Sequence, residues 1–336
     1  MPEVNLLALV IPVYRNEENL DRLLKELTRL NERMPVPMEV VFVVDGSPDR
    51  CAELLAARLP GTALRSRLVT LSRNFGSFAA ISAGLECAEA DAYAVLAADL
   101  QEPPDLVAQF ARILKDDEAD VVFGYRASRS DPWLSEFLSS LFWRVYRALV
   151  IRDMPRGGID VFACNRRVRD HLMELREVNT NLIALLFWLG FRRRFVGYHR
   201  AERKEGSSAW TLGKKLRYSI DSIFNFTDLP IRLLLYVGGA GITIAAVWAA
   251  VLVALWYQGR ITVPGYTPVV LAIVFFGALT SFGLGVIGQY LWISLANARR
   301  RPRYVIASQD KMSENETALL PPGGQRAGAE SKSLPE

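Results

Sequence analysis

The segment with the clearest chemical potential is Tyr93-Ala-Val-Leu-Ala-Ala-Asp-Leu-Gln-Glu-Pro-Pro104. An apolar run ends in the carboxylate of Asp99, a polar turn follows, and two prolines precede the next helix. This order is typical of a buried strand that delivers one acid to the edge of a sheet, where α/β proteins bind ligands. A carboxylate there could hold a divalent metal against a diphosphate. An Asp after a strand is also an ordinary turn or cap residue, so the elements around this segment decide its meaning.

Those elements alternate between strands and helices. Apolar runs at residues 6–13, 38–44, 68–71, 93–98 and 121–125 predict five strands. A leucine stripe predicts a helix over 19–30, and further helices are expected from 76 to about 87 and from 103. Near-continuous apolar strands in this alternation predict an α/β fold with a mostly parallel sheet, covered on both faces. Ligands of such sheets bind beyond the carboxyl ends of the strands. Polar clusters fall at those ends, at residues 14–18, 45–49, 73–76 and 99–102.

Several classes of function are disfavoured by what the sequence lacks. The predicted α/β part, up to residue 210, contains no Gly-x-Gly-x-x-Gly turn, and the chain contains no Gly-x-x-x-x-Gly-Lys-Ser/Thr loop. This disfavours dinucleotide binding and ATPase or GTPase chemistry. The three cysteines lie far apart and show no metal-binding spacing. The net charge of +4 is modest, and its basic excess lies beside the apolar segments. That placement favours anionic lipid over nucleic acid as a partner.

The C-terminal third has the composition of a membrane protein. Residues 233–256 and 269–291 carry no charge, and each run exceeds the ~20 residues that cross a bilayer. The intervening stretch, 257–268, contains two glycines and two prolines and suits a tight hairpin. Two buried core helices are the alternative, which the lengths of the runs disfavour.

The charges that flank the two runs predict their orientation. Four basic residues between 214 and 232 precede the first run and four between 299 and 303 follow the second, whereas Arg260 alone lies between them. The positive-inside rule therefore predicts that both termini and the large N-terminal domain are cytoplasmic. The expected division is a catalytic domain over 1–210, an interfacial helix and linker over 211–230, and two transmembrane helices within 231–298. A basic stop and then a cytoplasmic tail are expected over 299–336. The polar tail beyond about Ser308 is predicted to be disordered.

Two amphipathic helices are also expected. The first, over about 132–149, suits core packing and membrane contact equally well. The second, over about 211–226, carries Lys214, Lys215 and Arg217 just before an apolar run, which favours a helix lying on the membrane surface.

Five motifs together resemble family 2 glycosyltransferases with the GT-A fold. They are Val10-Ile-Pro-Val-Tyr-Arg-Asn-Glu-Glu-Asn19, Val44-Asp-Gly-Ser-Pro-Asp49, Leu71-Ser-Arg-Asn-Phe-Gly76, Ala98-Asp-Leu-Gln-Glu-Pro-Pro104 and Arg203-Lys-Glu-Gly-Ser-Ser-Ala-Trp210. The two C-terminal runs narrow the resemblance to polyprenyl-phosphate glycosyltransferases, the dolichol-phosphate-mannose-synthase and GtrB type. It extends over residues 6–306, as far as the closing Arg301-Pro-Arg-Tyr-Val305.

This resemblance implies that a nucleoside diphosphate sugar, expected to be UDP-linked, donates its sugar to a polyprenyl phosphate with inversion at the anomeric carbon. The product would be a polyprenyl-phosphate sugar for modification of cell-envelope glycans. The implied nucleotide-site residues are Pro12, Tyr14, Glu17, Asp45, Asn74, Gly76, Gln101, Arg203, Ser207 and Ser208. Asp99 would hold Mg²⁺ or Mn²⁺ together with the diphosphate. Asp160 lies where the family keeps an acid facing the reacting sugar, and Arg126 and Arg129 would face the acceptor phosphate.

The chemistry of this transfer suggests how the charges would be used. A phosphate monoester has a second pKa of roughly 6, so the acceptor is already an anion at neutral pH. Control of charge therefore matters more than a strong base. Arg126, Arg129 and Arg203 offer forked donors suited to phosphates, although a single surface Arg is more often only solvated. We accordingly expect Asp160 to position the sugar or acceptor, with a role as general base second.

The sequence departs from the family pattern in ways that leave alternatives open. Ala97 occupies the first position of the common Asp-x-Asp, so metal binding would rest on Asp99 with fewer protein ligands. Ser77 replaces a common Lys, and Ser208-Ala-Trp210 replaces a common Ser-Lys-Tyr. A non-catalytic membrane protein that binds nucleotide sugars is therefore a second hypothesis. A processive polysaccharide synthase is disfavoured, because the chain lacks Gln-x-x-Arg-Trp and has fewer apolar runs. Glycines at 238–241 and 283–288 would allow close helix packing and a homo-oligomer.

Overall fold

The computed structural model of the chain describes residues 3–127, 155, 159–175, 181–199, 229–258, 266–299 and 301–312. Within these ranges the strands are β1 (Leu7–Val13), β2 (Met38–Val44), β3 (Arg65–Leu71), β4 (Ala92–Val95), β5 (Val121–Arg126), β6 (Ile159–Asn165), β7 (Arg193–Tyr198) and β8 (Ile306–Lys311). The α-helices of the same ranges are α1 (Leu20–Asn31), α2 (Cys51–Arg58), α3 (Ser77–Cys87), α4 (Asp105–Lys115), α5 (Arg166–Glu174), α6 (Leu182–Trp188), α7 (Leu229–Tyr257) and α8 (Tyr266–Ala298).

These strands form one sheet in the order β7-β5-β6-β4-β1-β2-β3-β8. Its centre, from β4 through β1 and β2 to β3, is parallel, and β5 and β7 are also parallel to each other. This confirms the predicted α/β fold with a mostly parallel sheet. The structure adds two antiparallel strands that the sequence did not indicate. β6 lies between β4 and β5, and β8 closes the edge beside β3.

Alternating side chains of the strands feed two cores, one on each face of the sheet. Leu7 and Leu9 of β1 enter the first core, whereas Ala8 and Val10 enter the second. The helices α1, α2 and α4 cover the first face, and α3, α5 and α6 cover the second. Because both faces are covered, a central strand such as β2 is apolar or buried at every position, as predicted for a parallel sheet.

Helix α3 approaches the sheet unusually closely, and Gly84 permits this approach. A Cβ placed on Gly84 would lie 2.3 Å from Cγ1 of Val10 and 3.0 Å from Cγ2 of Val43. A side chain there would push the helix away from the sheet. Helix α3 begins directly after Gly76, so its seating fixes the loop that follows β3.

Strand β3 begins earlier than predicted, at Arg65 instead of residue 68. Its first half is polar, and Arg67 conceals the strand in the sequence pattern. In the fold the Arg67 side chain is buried and pairs with buried Glu39, with Nη2 and Oε1 separated by 3.1 Å. Because each charge neutralises the other, a strand that reads as polar lies inside the sheet.

The prediction that the tail is disordered beyond about Ser308 is wrong for its first residues. Residues Ile306–Lys311 form β8, with Leu68 opposite Asp310 and Thr70 opposite Ser308. The amide of Ser72 also donates to the carbonyl of Val305 at 2.9 Å. The physical reason is the edge of β3, whose backbone groups require partners. A polar strand satisfies them without apolar side chains, so hydropathy does not reveal it.

Helices α7 and α8 occupy the two segments for which charge-free spans are predicted. Gly283 of α8 packs against Leu234 of α7, and Gly241 lies near Phe276, so two of the predicted packing glycines serve contacts within the chain. Large apolar side chains of both helices are exposed. Among the described residues, the stretch Phe275–Ala298 of α8 is long and apolar enough to cross a membrane. A second crossing by α7, and association with further chains, stay predictions.

The two predicted amphipathic helices, over about 132–149 and 211–226, lie outside the described residues. Of the linker expected to follow the second helix, residues 229 and 230 are described, and these begin α7.

Candidate active site

Four polar loops meet at one edge of the sheet because the strands that precede them are parallel neighbours. The loops follow β4, β1, β2 and β3, which stand in that order in the sheet. They contain the polar clusters at 99–102, 14–18, 45–49 and 73–76 that the sequence places at strand ends. The structure therefore places all the predicted nucleotide-site residues between Pro12 and Gln101 along this edge.

Asp45 joins the loops after β2 and β3. It is 3 % exposed, and its Oδ1 accepts a hydrogen bond from the amide of Phe75 at 2.7 Å. Its Oδ2 accepts another from the amide of Gly76 at 2.8 Å. The loops also touch beside it, because a Cβ on Gly46, which has a φ of +54°, would lie 2.2 Å from the carbonyl carbon of Arg73. The carboxylate thus fixes the backbone of the loop that is predicted to bind the nucleoside.

Asp49 joins the loops after β1 and β2. Its carboxylate accepts hydrogen bonds from the Ser47 hydroxyl at 2.6 Å and the Glu17 amide at 3.3 Å. Ser47 in turn accepts from the amide of Arg15 at 2.8 Å. Burial alone would raise the pKa of the Asp49 carboxyl, but its hydrogen bonds, led by that from Ser47, hold the pKa below its ordinary value. Glu17, predicted at the nucleoside site, accepts hydrogen bonds from the amide and Nε of Arg50.

Aromatic and cationic side chains are among those that face solvent along this edge. Tyr14 is 37 % exposed, and the guanidinium of Arg15 lies 5.4 Å from the centre of its ring. Arg73 lies 4.2 Å from the centre of the Phe75 ring. Asn74, between them in the loop after β3, is exposed. Flat rings and guanidinium groups provide surfaces on which a nucleobase can stack.

Asp99 stands where the sequence predicts it, in the turn between β4 and α4. Its Oδ1 accepts a hydrogen bond from the Gln101 amide at 3.3 Å, and Leu100 between them has a φ of +53°. Gln101 and Glu102 are buried beneath the turn. Burial, followed by the charges of Asp160 and Asp99, raises the pKa of Glu102 to about 8. The carboxylates of Asp160 and Asp99 therefore lie close enough to Glu102 to oppose its ionisation.

A cluster of Arg126, Asp160 and Tyr198 lies beside this turn. Arg126 binds Asp160 through two hydrogen bonds, from Nε to Oδ2 at 2.6 Å and from Nη2 to Oδ1 at 3.1 Å. The Tyr198 hydroxyl donates to the same Oδ2 at 2.7 Å. The side chains of Arg126 and Asp160 remain 20 % and 31 % exposed, so the pair faces the open edge. A forked guanidinium in this position is suited to a phosphate.

Three neighbouring strands supply this cluster, one residue each. Tyr198 ends β7 and stands opposite Arg126, which ends parallel β5. Asp160 is the second residue of β6, which runs antiparallel and so starts at the edge where β5 ends. The ladder between β5 and β6 shifts register between Gly124 and Tyr125, and such a bulge redirects the side chains that follow it.

The residues at the Asp99 turn fit a divalent cation that is held mainly by its substrate. Within the described ranges, no three Asp, Glu, His or Cys side chains form a group that could hold a metal ion. Asp99 offers carboxylate oxygens, which Mg²⁺ and Mn²⁺ prefer, and Ala97 offers no ligand. Mg²⁺ commonly takes one or two carboxylates and completes its shell with water and substrate phosphates. The carboxylate donor and the acidic surroundings agree with such an ion.

Four predicted site residues cannot be placed, and three residues of the site were not predicted. Arg129, Arg203, Ser207 and Ser208 lie outside the described residues. Sequence reasoning missed Tyr198, Glu102 and the bridging role of Asp49. Glu102 belongs to the same Asp99-Leu-Gln-Glu102 turn as Asp99, so its position in the sequence could have identified it as a candidate site residue. Tyr198 carried no signal, because the short strand β7 begins with two arginines and was not assigned.

The fold and this edge define an α/β protein whose ligand site gathers acids and a guanidinium beyond its parallel strands. The sequence model of the family described as glycosyl transferase family 2 matches residues 8–174. An uncharacterized glycosyltransferase of Synechocystis sp. is 30% identical over 302 residues, which cover 90% of this chain and 94% of that protein. The chain belongs to glycosyl transferase family 2 and is a glycosyltransferase with the GT-A fold, which confirms the predicted resemblance.

Two further relatives have names that state an acceptor or a sugar. The undecaprenyl-phosphate 4-deoxy-4-formamido-L-arabinose transferase of Serratia proteamaculans is 30% identical over 312 residues, covering 90% of this chain and 93% of the relative. The bactoprenol glucosyl transferase of Shigella phage SfV is 28% identical over 304 residues, covering 90% of this chain and 98% of the relative. Because 304 or more residues are aligned in each, these similarities extend well beyond the segment 8–174.

Proposed function

We propose that this enzyme transfers a sugar, with inversion, from a nucleoside diphosphate sugar to a polyprenyl phosphate at the cytoplasmic face of a membrane. The donor is UDP-linked, the acceptor resembles undecaprenyl phosphate, and the product serves cell-envelope glycan modification. The single observation that carries the proposal is the Arg126–Asp160 pair beside the Asp99 turn. Arg126 of this pair is a cation suited to the acceptor phosphate. The neighbouring carboxylate of Asp99 is suited to the metal ion that would accompany the donor diphosphate.

In the proposed reaction, an oxygen of the acceptor phosphate attacks the anomeric carbon of the sugar. A new carbon–oxygen bond forms as the bond to the diphosphate breaks, and the nucleoside diphosphate leaves with the electron pair. No proton need be removed, because the acceptor phosphate is already ionised at neutral pH. Two anions must approach each other, so the main task of the protein is to control charge.

The described residues divide this task between two ends of the site. Asp99, with Gln101 beside it, would hold Mg²⁺ or Mn²⁺, which stabilises charge on the leaving diphosphate as a Lewis acid. Arg126 would bind the acceptor phosphate with its fork. Asp160 would position the sugar or acceptor, with a role as general base second. The Asp45 carboxylate would organise the loop around Asn74 and Gly76 that receives the nucleoside.

The resemblance assigns the remaining contacts. Arg129 would assist Arg126 at the acceptor, and Arg203 with Ser207 and Ser208 would close over the diphosphate. Pro12, Tyr14 and Glu17 belong to the loop that would receive the nucleoside.

The apolar helices suit a substrate that remains in the bilayer. A polyprenyl chain lies in the membrane with its phosphate at the surface, so an anchored enzyme meets it at high effective concentration. We propose that α7 and α8 both cross the membrane and that the domain of residues 1–210 and the C-terminus are cytoplasmic. Two facts support this arrangement: the basic residues that flank the helices, and the relatives whose names include undecaprenyl phosphate or bactoprenol.

The test is a donor screen with purified full-length protein and undecaprenyl phosphate in detergent. UDP-glucose, UDP-N-acetylglucosamine and GDP-mannose are each supplied with MgCl₂ or MnCl₂, and the lipid product is identified by mass. A lipid heavier by one glycosyl unit, formed only with metal, is the expected result. Binding of a nucleotide sugar without transfer or hydrolysis, over a broad donor set, would instead favour the non-catalytic alternative suggested by Ala97.

A further inference from the structure

Asp160 is held by two donors of different character. Tyr198 is 4 % exposed and belongs to the core on the α1 face of the sheet, so its ring has little freedom. Arg126 is partly exposed and charged. Both donate to Oδ2 of Asp160, and Arg126 also reaches Oδ1. Tyr198 thus donates from a neutral hydroxyl on a fixed ring. Arg126 donates from a long, charged side chain that can also bind a phosphate.

A phosphate and the Asp160 carboxylate compete for the same N–H donors of the Arg126 guanidinium. The guanidinium presents planar, paired donors that match a carboxylate or a phosphate equally well. An acceptor phosphate bound by Arg126 would therefore weaken at least one of the two hydrogen bonds to Asp160. The hydroxyl of Tyr198 is uncharged and buried, so the phosphate does not draw it away.

We propose that Tyr198 is a positioning residue for the transfer reaction: its hydroxyl keeps Oδ2 of Asp160 in place when Arg126 turns its guanidinium from Asp160 to the acceptor phosphate. The proposal rests on the proposed function, which supplies that phosphate. It gives Tyr198 a role through Asp160 and without contact with the reacting atoms.

Two properties of the cluster support this role. Burial, followed by the charges of Asp160 and Glu102, raises the pKa of Tyr198, so the hydroxyl keeps its proton and always donates. The backbone of Tyr198 is also tied down, because its carbonyl accepts from the Ala127 amide at 2.9 Å. The core and this backbone hydrogen bond therefore hold Tyr198 by contacts other than the Arg126 guanidinium.

The first measurement is the steady-state kinetics of Tyr198→Phe in full-length protein, with the donor found by the screen and undecaprenyl phosphate. We expect kcat to fall about tenfold, as for loss of a hydrogen bond to a charged group, with little change in the donor KM. Tyr198→Met, which also lacks the hydroxyl, should show the same pattern. The matched control is Tyr93→Phe, because the Tyr93 ring is buried and its hydroxyl bonds to Ala90 and Arg169 away from the site. This control should keep the wild-type kcat.

The second measurement separates positioning from general structural support. If Tyr198 acts through Asp160, the double variant Tyr198→Phe/Asp160→Asn should be no slower than Asp160→Asn alone. Losses that multiply in the double variant would overturn the proposal, as would a wild-type kcat in either Tyr198 variant. A kcat loss of equal size in Tyr93→Phe would also overturn it, because the effect would then be one of buried hydroxyls in general.

The outcomes also distinguish this inference from the proposed function. If the wild-type protein transfers sugar to the lipid and Tyr198→Phe has the same kcat, only the role of Tyr198 is refuted, and the proposed function stands. Hydrolysis of a donor without transfer to the lipid refutes the proposed acceptor and the exchange of Arg126 with it. Wild-type protein that neither transfers nor hydrolyses any donor overturns both.

Discussion

Replacement of Asp45 by Asn should weaken donor binding through the loop it organises. The side chain is 3 % exposed and accepts one amide hydrogen bond on each oxygen, from Phe75 and Gly76. Asn retains one oxygen acceptor but turns an NH₂ group towards the second amide. The variant therefore loses one charge-assisted hydrogen bond and leaves a backbone N–H facing another donor.

The expected magnitude follows from these two losses. A hydrogen bond to a charged group contributes about 1.5–3 kcal/mol, and an unsatisfied buried group costs about 1–3 kcal/mol. Values near the lower ends of the two ranges sum to about 3 kcal/mol, which corresponds to a factor of about 150 in an equilibrium constant. If the loop opens in the free variant, donor binding must restore it, and the donor Kd should rise by up to that factor.

The assay is calorimetric titration of the donor into full-length Asp45→Asn, together with kcat at saturating donor. Asp105→Asn is the control, because Asp105 is an exposed acid whose ion pair with Arg33 has side chains 65% and 62% exposed. A Kd for Asp45→Asn within about threefold of that control would refute the loop argument, since an intact pair of charge-assisted bonds should matter more. A fall in kcat with unchanged Kd would instead move Asp45 to the reacting centre.

Four further predictions concern the metal, the sugar site, acid stability and topology. Asp99→Ala should reduce metal-dependent transfer to background without lowering the unfolding temperature, and unchanged turnover and metal dependence would refute the assignment. Asp160→Asn should lower kcat more than it weakens donor binding; an equal loss of donor affinity would place Asp160 at the nucleotide. Asp49→Asn should be less stable than wild type at neutral pH. The lowered pKa of Asp49 stabilises the fold above the ordinary value of 3.8 and ceases to do so as pH falls through the folded-state value. Thermal unfolding should therefore show the difference narrowing in acid, and a constant gap down to strong acid would contradict the linkage. A reporter fused after residue 336 should be active only inside the cell, and activity only outside would reverse the orientation.

The parallel part of the sheet could be predicted because its signals are local. Strand β2 is apolar except for Glu39, and its predicted bounds match the structure. The helical stripe of leucines in α1 was equally clear. Parallel neighbours also bring the loops after them to one edge, so Asp45 and Asp99 could be placed there from the sequence.

The features that could not be predicted depend on contacts between residues that are distant in the sequence. Tyr198 meets Asp160 only because β7 and β6 both flank β5, and no local pattern encodes that neighbourhood. The Arg67–Glu39 pair hid half of β3 in the same way. The resemblance supplied the role proposed for Asp160, but the two hydrogen bonds from Arg126 could be seen only in the fold.

Strand β8 affects how the catalytic domain can be isolated. A fragment that stops before α7 keeps β1 to β7 but loses the strand that covers β3, although β8 lies beyond both apolar helices. The bare edge of β3 would then offer free backbone donors and acceptors to other copies, a common route to aggregation. A water-soluble version should instead replace α7 and α8 by a flexible linker and retain residues 301–312. Removal of the two apolar helices and preservation of the sheet are therefore separate steps in the engineering of this enzyme.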